Sequence, residues 1–81
     1  MAKEIAPGIT VDPAVMVGKP VIAGSRMPVE FVLMKLAADP DLDDFFLDYP
    51  ELTVDDVKAV LRYAATVVQE RAAADRQPST V

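Results

Sequence analysis

The 81-residue chain has no histidine and no cysteine. Its chemistry is therefore limited to carboxylates, lysines, arginines and a few hydroxyls. Without histidine it lacks the usual general base, the commonest metal ligand and the physiological pH switch. Without cysteine there can be no disulfide and no thiolate zinc site. No nucleophile–base pair can be assembled from what remains, so no enzymatic role, metal or cofactor is expected. What is left is binding chemistry. Two cations, Lys19 and Arg26, flank one short apolar run in G-K-P-V-I-A-G-S-R-M-P, residues 18–28. Two more, Lys58 and Arg62, fall one helical turn apart further on. All four are candidate phosphate contacts to DNA. Arg26 has a structural alternative: it bonds to carbonyls, or pairs with Asp12 or Glu30, to fix its turn. Lys19 is not a phosphate-loop lysine, because the upstream glycine spacing and the following Ser or Thr are missing.

Charge weighs against DNA. Residues 1–35 carry four cations and three anions, whereas residues 36–81 carry four cations and ten anions, giving the net −5. From Asp39 to Asp56 there are eight acids and no base. Such a run lacks the glycine and terminal glutamate of a calcium loop. It reads as a solvated face that also suits a basic partner. An acidic chain is a poor non-specific DNA binder, since neutralised phosphates dominate that affinity.

The elements that must position these groups follow from spacing. The Pro7-Gly8 turn leads into a strand at Ile9-Thr10-Val11, stopped by Asp12-Pro13. Gly18 and Gly24 bracket a second strand, Val21–Ala23, and Pro28 suits the first turn of a helix. Helix one is expected over about residues 28–38, with Val29, Val32, Leu33 and Leu36 on one face. Phe31 and Met34 fall off that face and are read as an interface. Asp41 is the N-cap of helix two, about residues 42–49, which buries Leu42, Phe45, Phe46 and Tyr49 and ends at Pro50. Thr53 caps helix three with Asp56 as a variant capping box. Its apolar stripe runs through Val54, Val57, Val60, Leu61, Ala64, Val67 and Val68, to about residue 74. The last two lie beyond a compact three-helix core and point to a second protomer or a partner. Helices two and three, joined through Pro50-Glu51-Leu52, have helix-turn-helix spacing, with a plain three-helix core as the alternative.

Three ordered blocks carry a resemblance: Gly18–Val29, Asp48–Val57 (D-Y-P-E-L-T-V-D-D-V) and Ala59–Ala65, with L-R-Y-A-A around Tyr63. Together they resemble the small bacterial family called domain of unknown function 433, over roughly Ile9 to Ala65. Members of that family are similar to VapB-type antitoxins of toxin–antitoxin pairs. The resemblance implies a short β element before a helix-turn-helix-like core, dimerisation, and a toxin partner resembling a PIN-type ribonuclease. Such toxins have acidic metal-binding clefts. An arginine beyond the core, Arg71 or Arg76, could enter one, or could simply be a solvated cation at the helix end. Asp39 departs from the family's usual glycine at the end of helix one.

The expected architecture is one domain over residues 1–81. It is mostly α, with a short N-terminal β element (residues 1–28), a homeodomain- or winged-helix-like three-helix core (29–74) and a polar tail (75–81). No apolar run approaches the roughly 18 residues that would span a membrane, and the N-terminus lacks an apolar signal core, so a cytoplasmic location is expected. The expected function is an antitoxin-like component of a type II pair, binding a PIN-like toxin and operator DNA as a dimer. The competing expectation is a homodimeric interaction module with no DNA role. The expected dimer contacts are Phe31, Met34, Val67 and Val68.

Overall fold

Strands of two to four residues are not stable alone, and here they pair with one another and pack on helices. The computed structural model describes residues 2–75. Strands β1 (Lys3–Ala6), β2 (Ile9–Val11) and β3 (Val21–Ile22) form one antiparallel sheet in that order. Ala6 pairs with Ile9 across the Pro7-Gly8 turn, and Ile9 pairs in turn with Ile22. Gly8 supplies φ +79° at the turn. Its carbonyl accepts from the N–H of Ala23 at 2.8 Å, tying the first hairpin to the second.

Strand β1 was not anticipated by the sequence. Lys3, Glu4 and Ile5 are all exposed, so this edge strand is held by its backbone ladder and has no buried face to imprint a pattern on its residues. After Pro13 the chain makes a single 3-10 turn, Met16–Gly18. Val17 there takes φ 57° and is 91 % exposed. For a β-branched residue this is a strained conformation.

The Gly24–Pro28 segment folds back on β3. Ser25 Oγ donates to the Ile22 carbonyl at 2.7 Å and accepts from the Met27 N–H at 3.0 Å. The Val29 N–H donates to the Pro20 carbonyl at 2.9 Å. The block that dominates the sequence is thus a closed loop that delivers the chain into α1 (Val29–Ala38), with Pro28 at the N-cap position.

Helix α2 (Leu42–Asp48) starts where Asp41 Oδ1 accepts from the N–H groups of Asp43 (2.9 Å) and Asp44 (3.4 Å). Helix α3 (Val54–Asp75) starts with the reciprocal box: Asp56 N–H to Thr53 Oγ1 at 3.1 Å, Thr53 N–H to Asp56 Oδ2 at 2.9 Å. Both caps match their sequence signatures, since each satisfies otherwise orphaned helix N–H groups.

Ile9, Ile22, Val32 and Val60 are almost wholly buried and join the sheet to α1 and α3. Phe45 and Leu52 add the α2 side. The molecule is mostly helical with a short sheet, as expected. The expected α3 stripe needs correction. Val54 and Leu61 are half exposed, at 52 % and 50 %, and Val68 is exposed at 65 %. The apolar stripe is wider than the core it meets. Val57, Ala59 and Val60 fill that core, while Val54, Leu61 and Val68, seven residues apart, form a separate outward strip.

Candidate functional site

Helices α1 and α3 do not close on each other along their whole length. Between them lies an apolar groove of about 300 Å³. Pro20, Val29 and Leu33 line one side, and Tyr63, Ala64, Val67 and Val68 the other, with Glu30 at the rim. Lys19 reaches Glu30 at 2.8 Å. Both side chains are more than half exposed, so the pair contributes little stability, but it keeps Lys19 engaged on its own chain.

The four apolar residues singled out from sequence separate in the structure. Val67 and Val68 line the groove. Phe31 lies on the α2 side of α1, edge-on to Tyr49 with centroids 5.9 Å apart, and the Lys35 ammonium sits 5.8 Å and 5.9 Å from those two rings. Its ring is 38 % exposed. Met34 is 66 % exposed, one turn beyond Glu30.

The four candidate DNA contacts also divide. Lys58 and Arg62 are exposed on consecutive turns of α3, and Arg62 lines a small crevice with Pro7 and Tyr63. Arg26 is exposed in the Ser25–Met27 turn. The Asp12 carboxyl is held below the usual range chiefly by the hydrogen bond from the Ala14 N–H at 2.9 Å, with the charge of Arg26 a lesser contribution. Arg71 is on the last turns of α3, paired with Asp75 at 3.3 Å. Arg76 lies outside the described residues.

The acidic run is spread over the α1–α2 turn, α2 and the start of α3. Of its eight members only Asp56 is half-buried. None has an ion-pair partner among the described residues, and no carboxylate cluster there is arranged to hold a metal. Asp44 is held above the ordinary carboxylate range, first by its side-chain hydrogen bond to Asp39, then by the charges of Asp41, Asp39 and Asp48. A raised folded-state pKa contributes stability below the unfolded pKa, and that contribution is lost as pH rises through the folded value. The expected outcome is that Asp44→Asn raises the melting temperature at pH 7, and that the gain disappears as pH falls below about 4, the unfolded carboxylate value. Thermal melts across that range check it; a gain independent of pH contradicts it.

Sequence reasoning missed the groove, because it forms only where the Pro20 turn meets the middle of α3, about forty residues later. The signal available was the conjunction of Val67 and Val68 with an α1 apolar over most of its girth. No helix among the described residues is long and apolar enough to cross a membrane. Comparison with curated proteins and with solved structures gives no match. The profile of one family, described as protein of unknown function (DUF433), matches residues 9–64. That span takes in β2, β3, α1, α2 and the first half of α3, including Tyr63 and Ala64 of the groove but not Val67 and Val68, and the chain belongs to the DUF433 family.

Proposed function

We propose that this protein is a non-catalytic, cytoplasmic binding module, the antitoxin-like half of a type II toxin–antitoxin pair, acting as a dimer on a PIN-like toxin. The family's likeness to VapB-type antitoxins supports the class. The observation that carries the reading is the set of exposed, unpaired acids from Asp39 to Asp55. Seven carboxylates without a counter-charge steer and orient a basic protein surface more effectively than they raise affinity. Arg71 would exchange its exposed pair with Asp75 for a toxin's acidic cleft, and Arg76 is the second cation assigned to that role. The test is growth rescue when the chain is co-expressed with the product of the adjacent gene. Wild type should rescue; a variant carrying Asp48→Asn, Glu51→Gln and Asp55→Asn, which spares both caps, should rescue at least tenfold less. Equal rescue by both would remove the acidic face from the account.

Operator binding is a second part of the reading. It is favoured by Lys58 and Arg62, on consecutive exposed turns of a helix that follows α2 and a short turn in helix-turn-helix order. Against it stand Asp55 and Asp56 at the end of α3 that would approach phosphate. If it holds, retention on operator DNA should fall steeply with salt, and Lys58→Ala with Arg62→Ala should flatten that dependence by about one unit of slope per cation removed. Lys19→Ala and Arg26→Ala test the β-side cations in the same assay. Salt-insensitive behaviour throughout leaves the homodimeric interaction module without a DNA role.

A further inference from the structure

Residues 13–18, Pro-Ala-Val-Met-Val-Gly, carry no polar side chain, although they form a surface loop between β2 and β3. Pro13, Ala14 and Val17 are exposed. An exposed run of this kind gains nothing from water, and in a folded chain it marks a contact. Val17 is the extreme case, 91 % exposed where the next large hydrophobic, Leu47, is 78 % exposed. Its backbone sits at φ 57° and ψ 39°, and among the described residues it is the one non-glycine with a positive φ. Gly18 follows at φ 79°, so two successive residues are left-handed. One exposed apolar side chain is ordinary on a folded surface. One held in a conformation that its own branched Cβ disfavours is not. Asparagine or glycine at this position would relieve the strain and the apolar exposure together.

So exposed a side chain contributes almost nothing to the packing of its own chain, and neither cost is offset there. The loop is nonetheless held firmly. The Val15 N–H donates to the Asp12 carbonyl at 2.8 Å and the Gly18 N–H to the Val15 carbonyl at 3.0 Å. The Ala14 N–H donates to Asp12 Oδ1 at 2.9 Å. Just beyond the loop, the Val29 N–H closes on the Pro20 carbonyl at 2.9 Å. These bonds fix the tip before any contact is made, which limits the ordering cost of binding. A fixed apolar tip fits a pocket of matching shape. A lipid surface is the poorer match. Residues 13–18 bring no cation to anionic headgroups, the adjacent Lys19 is engaged by Glu30, and the chain carries −5 overall.

We infer that residues 13–18 are a preformed contact loop, with Val17 the side chain that enters an apolar pocket on a partner protein. The inference rests on the reading of this chain as a module that holds another protein, and it adds to that reading a contact of different character. The loop leads into the start of α1, whereas the acidic run begins at Asp39, past the other end of that ten-residue helix, about 15 Å away. Carboxylates there steer and orient a partner and are screened by salt. Burial of Val17 is a hydrophobic contact that salt does not screen.

The experiment uses the full chain, free and with the co-expressed product of the adjacent gene. Val17→Asn should raise the melting temperature of the free chain by about 4 °C, the scale for relieving one strained residue in a domain of this size. It should also weaken the complex about tenfold or more, the effect of losing one buried valine, at low and high salt alike. A stabler fold with a weaker complex is a pairing that a merely structural loop cannot give. Val17→Ile, which restores the apolar side chain and its strain together, should restore both values. The variant with Asp48→Asn, Glu51→Gln and Asp55→Asn should weaken the complex mainly at low salt, so the two contacts are read separately. Undiminished affinity of Val17→Asn for a partner that the wild type binds overturns the inference and leaves the antitoxin reading standing. A wild type that binds no partner removes both. A lower melting temperature for Val17→Asn overturns the inference by showing that Val17 holds its own loop. Val17-dependent sedimentation with phosphatidylcholine vesicles overturns it by assigning the loop to lipid.

Discussion

Phe45→Ala is expected to cost about 3–5 kcal/mol of stability, the range for emptying a buried phenylalanine site. Few changes to this chain should cost more. Helix α2 has seven residues, far fewer than a helix needs to persist by itself, and Phe45 is its only buried residue. The ring is 5 % exposed. It meets Phe46 at 5.5 Å with the planes 73° apart, and Tyr49 at 5.2 Å. Tyr49 in turn carries Phe31 of α1. Removing Phe45 therefore takes away the contact that seats α2, and with it the ordering of the acidic face. Domains of this size hold only about 5–15 kcal/mol in total, so the loss should bring the variant close to unfolding at 37 °C. Urea denaturation at matched protein concentration gives the number. Leu47→Ala, at a position 78 % exposed, should change stability by less than about 0.5 kcal/mol. Comparable losses for the two variants would mean that α2 is not anchored through Phe45.

Gly8→Ala is the second large effect. Gly8 has φ +79°, and a Cβ built there would stand 3.0 Å from Cβ of Ala59 on α3. Two costs combine. A non-glycine residue in the left-handed region costs roughly 1–2 kcal/mol. The contact adds overpacking strain, typically about 1–3 kcal/mol, because Ala59 cannot retreat: it is 6 % exposed between buried Val57 and Val60. The hairpin must lift instead, which strains the Ala23 N–H bond to the Gly8 carbonyl. A loss of about 2–5 kcal/mol is expected from these two terms. Gly24→Ala separates them. Gly24 has φ +77° with no atom within 4 Å of its Cβ position, so only the conformational cost of about 1–2 kcal/mol applies. Equal losses at Gly8 and Gly24 would show that the hairpin turn is not pressed against α3.

The contrast between those glycines shows what the sequence could and could not reveal. Local signals were legible. Pro7-Gly8 marked a turn, Thr53 with Asp56 marked a reciprocal cap, Asp41 marked the start of α2, and the three helices fell within a residue or two of their observed ends. Each of these is decided by groups a few residues apart. What depended on the width of the core was not legible. Leu61 and Val54 have the same residue character and nearly the same spacing as Val57 and Val60. Only the position of α1 and the sheet determines which of them find a neighbour. Strand β1 escaped for a related reason: an exposed edge strand is specified by its partner's backbone, which leaves no mark on Lys3, Glu4 and Ile5.

The candidate site was half legible. Val67 and Val68 were singled out as needing another surface, and they do line the groove. Phe31 was grouped with them because both lie off a buried face. Its contact with Tyr49 spans eighteen positions in the chain, and nothing in helical spacing encodes it. Lys19 and Arg26 stood out as cations on paired turns. The structure adds that Lys19 is engaged by Glu30 at 2.8 Å, which draws it toward a role in holding the loop.

The central claim is that this family member works by holding another protein, with its acidic face as the contact. The direct measurement is size exclusion with light scattering on the chain co-expressed with the adjacent gene's product, at low and at high salt. The account predicts a complex heavier than the homodimer at low salt that loses much of its partner at high salt, since exposed charges are screened within about 8–10 Å at physiological ionic strength. A chain that elutes alone under both conditions, beside a neighbour product harmless to the cell, would contradict it.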